Sequence, residues 1–241
     1  MRKALPILVL VLTIAGCGSS SSSSTTSTAA TSATSTAAAS SSSSTTTSSA
    51  SAPCQSAAVP APMGPQHIPP PHLTLDPSRT YTVTVVTNCG TFAFTLDVKQ
   101  QPKTSASVYY LVKRGFYNGL TFHRVAAGFV IQGGDPAGNG TGGPGYTVVE
   151  APPANTQYVL GDVAMAKTEA QPAGASGSQF FIVTAPNVTQ SAGLTPDYAL
   201  AGKVVSGINV VEKIGKLPTN PPQDGAPTTP VVMTSVTVSS G

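Results

Sequence analysis

No charged residue stands between Lys3 and Asp76 of the 241-residue chain, and that gap limits where a fold can form. Residues 18–52 comprise 26 Ser/Thr, 8 Ala and 1 Gly, with too little apolar surface to offset the entropy of ordering a chain. Residues 53–73 bring Pro53, Pro60, Pro62, Pro65 and the run Pro69-Pro70-Pro71, which reads as a stiffer, polyproline-like spacer. As a flexible coil, residues 18–73 would reach about 40 Å r.m.s., so the expected role of this linker is reach. A packed core has to come from residues 74–241, one domain's worth of chain. The charge balance, Lys+Arg 12 against Asp+Glu 9 for a net +3, provides no basic stripe and excludes a nucleic-acid partner.

The extreme N-terminus reads as an address. Met1-Arg2-Lys3 is a positive start, and the following run from Ala4 to Ala15 is too short to span roughly 30 Å of hydrocarbon, so residues 1–16 are expected to be a signal peptide. The run ends in Ile14-Ala15-Gly16-Cys17, which resembles the bacterial lipobox. That resemblance implies acylation of Cys17, with palmitate among the chains, and an extracytoplasmic protein lipid-anchored to the bacterial cell membrane. Export permits a disulfide between Cys54 and Cys89; the spacing leaves a bridge and two separate thiols both open.

Within residues 74–241, Tyr81–Thr87 and Thr91–Leu96 alternate and are rich in β-branched residues, with Asn88-Cys89-Gly90 as the turn of a hairpin. Lys103–Gly115 reads as a helix, with Pro102 and a Thr104/Ser105 cap at its start and Gly115 as its stop. Short strands are expected around Thr121–Val125, Phe129–Gln132, Val163–Ala166, Gln179–Thr184 and Ala199–Val205, a second helix at Ile208–Ile214, and a last strand at Val231–Val238. This pattern predicts a mainly β fold: a closed eight-stranded antiparallel β-barrel capped by two α-helices.

Two segments carry the chemistry. One is Phe122-His123-Arg124-Val125-Ala126-Ala127-Gly128-Phe129-Val130-Ile131-Gln132-Gly133-Gly134-Asp135; the other is Gly177-Ser178-Gln179-Phe180-Phe181-Ile182-Val183. Strand alternation directs Phe122, Arg124 and, after the turn, Phe129 and Gln132 to one side. An Arg beside Phe rings on a β surface suits an extended peptide with an apolar residue; alone, it could equally be a surface cation packed on a ring. The Gly-rich stretch from Gly133 to Gly145 lacks the Gly-Lys-Ser/Thr ending and following helix of a phosphate loop.

Together the two segments resemble the cyclophilin family of peptidyl-prolyl cis-trans isomerases, over about residues 80–238. The resemblance implies that Arg124, Phe129 and Gln132 are catalytic, and that Phe122, Val130, Ala166, Lys167, Gln179, Phe181, Leu194 and Tyr198 contact substrate. Phe129, Phe181 and Leu194 would form the cup for a proline ring. It implies a monomer acting on proline-containing polypeptides, with no cofactor or metal. Gly193 stands where vertebrate members that bind cyclosporin tightly have Trp, so weak cyclosporin binding is expected. Tyr198 replaces a His, Val130 a Met, and the loop through residues 168–175 is longer than the usual one.

The chemistry that this family performs follows from the amide. Resonance sets a barrier of about 18–20 kcal/mol to rotation, and uncatalysed X-Pro exchange takes tens to hundreds of seconds. In the twisted transition state the prolyl nitrogen gains a lone pair, and a permanently charged guanidinium such as that of Arg124 can meet it with a hydrogen bond absent from the ground state. His123 reads as support for the strand rather than a base, and His67 and His72 lie in the spacer.

Overall fold

A computed structural model describes residues 53–241; the expected signal peptide at residues 1–16, Cys17 and the Ser/Thr/Ala-rich stretch lie outside the described residues. Tyr81–Thr87 (β1) and Gly90–Leu96 (β2) form the expected hairpin, with Thr82 facing Thr95 and Thr87 facing Gly90. Its alternation buries Val83, Val85, Phe92 and Phe94. The helix Pro102–Lys113 (α1) starts at a proline, whose missing N–H has no intrahelical partner to lose there. Its cap differs from expectation. Thr104 and Ser105 keep their hydroxyls buried without a hydrogen-bond partner. The Glu150 carboxylate instead accepts from the backbone N–H of Lys103 at 3.1 Å and of Thr104 at 2.8 Å, placing an anion at the positive end of the helix dipole.

The chain continues through Arg124–Ala126 (β3), Val130–Gly133 (β4), Val148–Val149 (β5), Asp162–Met165 (β6), Ala175–Ser176 (β7) and Phe180–Val183 (β8). Val188–Ala192 (α2), Leu200–Ser206 (β9), Ile208–Ile214 (α3), Thr219–Asn220 (β10), Asp224–Pro227 (β11) and Met233–Ser240 (β12) complete it. Ten strands form one sheet in the order β10-β11-β3-β4-β8-β6-β9-β2-β1-β12, while β5 and β7 form a separate ribbon. The mainly β class stands, but the sheet is not the expected closed eight-stranded barrel, and a third helix, α2, is present. The reason lies at β3. One flank of β3 pairs with β4 and the other with β11, Asp224 opposite Ala126 and Gly225 opposite Val125. The approach to β12 meets the chain ahead of β3 in the isolated bridge Thr121–Val232 and in the bond from the Gly119 N–H to the Met233 carbonyl at 2.8 Å, too short a contact to count as a ladder of the sheet.

Residues 53–73, expected to be a spacer, run without regular secondary structure against the domain. Cys54 is disulfide-bonded to Cys89 in the β1–β2 turn. The N–H of Gln55 donates to the Asn88 carbonyl at 2.9 Å, that of Met63 to Pro136 at 2.8 Å, and that of Ile68 to Pro144 at 2.9 Å. Ile68 and Leu73 pack against the main core. Proline supplies no N–H, so a Pro-rich strap can make only such sparse contacts through its other residues. Gly145, at φ 93°, has the Gln66 carbonyl where a side chain would stand, so the strap's close approach requires glycine there.

The two faces of the sheet carry different apolar clusters. Val125, Ile131, Val163 and Ile182 point into the main core with Phe92, Phe122 and Phe180. Their alternates Ala126, Val130, Ala164, Phe181 and Val183 form a second cluster with Tyr158 and Val188. A strand buried on both faces needs apolar residues at consecutive positions, which is what Phe180-Phe181-Ile182-Val183 supplies.

Candidate functional site

The second cluster forms the candidate site. Register aligns one residue from each of four strands: Arg124 faces Gln132, Gln132 faces Phe181, and Phe181 faces Ala164. Since cross-strand partners share a face, a cation, an amide and an aromatic ring stand side by side on the outer surface. Phe129, from the turn between β3 and β4, and Leu194, Tyr198 and Ala166 pack partly buried around Val130 and Phe181. Ring packing holds the arrangement: Phe181 and Tyr198 meet edge-on at 5.3 Å between centroids, and Lys167 Nζ lies 5.4 Å from the Tyr198 ring centre.

A chain of hydrogen bonds orders the polar half. Arg124 Nη1 donates to Gln132 Oε1 at 3.1 Å, and Gln132 Nε2 donates to Gln179 Oε1 at 3.1 Å. Gln179 Nε2 in turn donates to the carbonyls of Gly140 at 2.9 Å and Gly142 at 2.8 Å. On its other side Arg124 donates from Nε and Nη2 to the two oxygens of Asp224, at 2.7 and 2.8 Å. Gln132 and Gln179 also border a groove of about 530 Å³ floored by the Gly140–Gly145 loop and walled by Lys167, Thr168 and Gln171.

The structure thus brings together Arg124, Phe129, Val130, Gln132, Ala166, Lys167, Gln179, Phe181, Leu194 and Tyr198. It does not bring Phe122 with them. Phe122 is 1% exposed and packs edge-on to Phe180 in the main core. Regular pairing begins only at Arg124, so alternation counted back through His123 loses its phase. Cys17 lies outside the described residues.

Two residues were not legible in the sequence. Tyr158, wholly buried, clamps Tyr198: its hydroxyl donates to the Tyr198 carbonyl at 2.7 Å and accepts from the Tyr198 N–H at 3.0 Å. Burial pushes its phenol up to about 12. Asp224 lies 100 residues from its partner Arg124, beyond any local pattern. His123 has both ring nitrogens buried without a partner, and burial, above all, lowers its pKa; it is a neutral packing group. The Gly-rich loop holds no open anion nest, because the Asp135 carboxylate already accepts from the N–H groups of Ala137, Asn139 and Gly140.

Comparison with known proteins identifies the family. Residues 82–238 match the family described as cyclophilin type peptidyl-prolyl cis-trans isomerase/CLD. A peptidyl-prolyl cis-trans isomerase of Helicobacter pylori is 37% identical over 156 residues, covering 58% of this chain and 90% of that protein. A probable peptidyl-prolyl cis-trans isomerase A of Mycobacterium bovis is 35% identical, covering 69% of this chain and 97% of that one. A crystal structure of a Cryptosporidium parvum cyclophilin-type isomerase, obtained in the presence of the dipeptide Ala-Pro, superposes with a TM-score of 0.58 at 30% identity. It covers 66% of this chain and 99% of that chain.

Proposed function

The chain belongs to the cyclophilin-type peptidyl-prolyl cis-trans isomerases, and from that premise we propose that it isomerises X-Pro bonds of exported or surface proteins, with Arg124 as the group that meets the prolyl nitrogen. The observation that carries the residue assignment is the Arg124–Gln132–Phe181 row, a fixed cation and an amide beside an aromatic cup. The guanidinium has five N–H donors. One on Nε and one on Nη2 go to Asp224 and one on Nη1 to Gln132, which leaves one on Nη1 and one on Nη2 for substrate.

The proline ring enters the cup formed by Phe129, Phe181 and Leu194, with Val130 beneath, Ala166 and Tyr198 at the wall and Lys167 at the rim. Gln132 holds the substrate backbone and Gln179 fixes Gln132. As the C–N bond twists, conjugation breaks, the nitrogen becomes pyramidal, and its new lone pair accepts from Arg124. This bond exists only in the transition state, so it lowers the barrier instead of deepening the bound ground state. A 10⁴-fold acceleration requires about 5.5 kcal/mol, and one preorganised donor supplies roughly 3–4. The dry cup and the Gln132 contact contribute the rest.

The test is a protease-coupled assay on a short X-Pro peptide. Arg124→Ala should lower kcat/KM about 10²–10³-fold with an unchanged circular dichroism spectrum. A folded variant as active as wild type would refute the role of Arg124.

The same reading places the enzyme outside the cytoplasmic membrane. It is supported by the leader-like residues 1–16, the lipobox-like stretch ending at Cys17, and a disulfide between Cys54 and Cys89, a bond that persists in oxidising compartments. Incorporation of labelled fatty acid that disappears in Cys17→Ala would support the anchor; equal labelling of both chains would refute it.

A further inference from the structure

We propose that Asp224 is the positioning residue of the reaction: it fixes the plane of the Arg124 guanidinium so that its two remaining donors point at the twisting bond. The proposal rests on the isomerase reading above and assigns a residue that neither the sequence motifs nor the family resemblance singled out.

The contact itself is two-pronged. Nε and Nη2 of Arg124 reach the two carboxylate oxygens at 2.7 and 2.8 Å, and paired parallel bonds of this kind set orientation as well as distance. Gln132 alone, through a single bond to Nη1, would leave the guanidinium free to swing about that bond. With both partners engaged, the donors left over are determined.

The sheet register independently places Asp224 there. Asp224 lies opposite Ala126, and Ala126 shares its face with Arg124, two residues back. The carboxylate is therefore diagonal to Arg124 on the outer face, within reach of a long side chain.

The backbone leading to Asp224 is also unusual. Gln223 has a φ of 72°, the one non-glycine residue with positive φ among the described residues, a conformation that side chains rarely adopt. Its carbonyl accepts from the Ala127 N–H at 2.7 Å, which ties the hairpin to the end of β3. On the other side of Asp224, a side chain at Gly225 would lie 2.6 Å from the Asn220 carbonyl. An unfavourable conformation held by its surroundings beside a reacting group is a reason to look for a function, and the function here is to aim Asp224.

Orientation, not charge, is the effect at issue. The two side chains are 35% and 54% exposed, so water screens most of the carboxylate's field. A misdirected donor, by contrast, fails regardless of screening.

The test uses the full-length protein with Asp224→Asn, Asp224→Glu, Arg124→Ala and the double variant Arg124→Ala/Asp224→Asn. Asp224→Asn keeps the volume but loses one of the two acceptors. It should lower kcat about 10-fold, less than the roughly 10²-fold that a full 1 Å misplacement costs, with KM changed less than twofold. Asp224→Glu should recover part of that loss. In the Arg124→Ala background the Asn substitution should have no further effect, because Asp224 acts only through the guanidinium. Nitrogen-detected NMR should show a slowly rotating Arg124 guanidinium in the wild type and a freely rotating one in Asp224→Asn. Full activity in Asp224→Asn, or a loss that persists in the Arg124→Ala background, would overturn the proposal. An inactive wild type would instead overturn the isomerase reading on which it rests; an active wild type with an indifferent Asp224 overturns the positioning role alone.

Discussion

Replacing Cys54 and Cys89 by Ala releases the strap that runs from residue 54 to the start of β1. The two cysteines are 35 residues apart, and the chain entropy removed by a bridge of that length corresponds to about 3.8 kcal/mol at 25 °C. Against detachment stand the half-buried Ile68 and Leu73 and the backbone bonds from Gln55, Met63 and Ile68. Because the strap can lift while the sheet stays folded, the global loss should fall somewhat short of the full value, at about 2–4 kcal/mol. For a domain of this size that lowers Tm by roughly 5–15 °C. Guanidinium denaturation measures the loss, and limited proteolysis within residues 55–67 reports the lifting. The same change should reach the site. The strap bonds to Pro136 and Pro144, at either end of the loop whose Gly140 and Gly142 carbonyls hold Gln179. A fall in kcat/KM of about threefold is expected, small because Gln179 acts one bond removed from Gln132. A double variant within about 0.5 kcal/mol of wild type and equally resistant to protease would refute the reasoning, since the bridge would then not be what holds the strap.

Glu150→Ala removes the remote cap of α1 and should lower stability by about 1–2 kcal/mol, read from urea midpoints, with Glu150→Gln losing less. Tyr158→Phe leaves the Tyr198 N–H and carbonyl without their shared partner; a loss of about 1–3 kcal/mol is expected, together with a raised KM as Tyr198 loosens in the cup wall. Burial holds the His123 pKa below its usual value, so below about pH 6.5 the unfolded chain binds a proton that the folded one resists. Stability should therefore be level above that pH and decline below it by up to about 1.4 kcal/mol per pH unit. Denaturation midpoints between pH 7.5 and 5 test this, and His123→Leu should flatten the decline.

Much of the fold was legible because its signals are local. The β1–β2 hairpin, α1 and α3 follow from alternation, a proline start, glycine ends and helical spacing within a few residues, and they occur where expected. The short strands were found with ends shifted by a few residues, and that shift matters at one place. Regular pairing starts at Arg124 and not at Thr121, so Phe122 faces the core. The hairpin of β10 and β11 carries no local strand signal: Thr219–Asn220 is two residues long and Asp224–Pro227 reads Asp-Gly-Ala-Pro without a β-former, and pairing with β10 and β3 is what makes β11 a strand.

By itself the sequence determined which residue types could do the chemistry, because Arg124, Gln132, Gln179 and Phe181 sit in two short runs whose spacing and polarity already suit a peptide-binding β surface. Only the tertiary structure decided how they are held. The partners that orient them come from far along the chain: Asp224 for Arg124, Tyr158 for Tyr198, Glu150 for α1, and the strap for the glycine loop beside Gln179. Local propensity acts over a few residues, whereas a hydrogen bond or an ion pair acts on whatever the folded chain brings within about 3 Å, and that proximity is absent from the linear order of the residues.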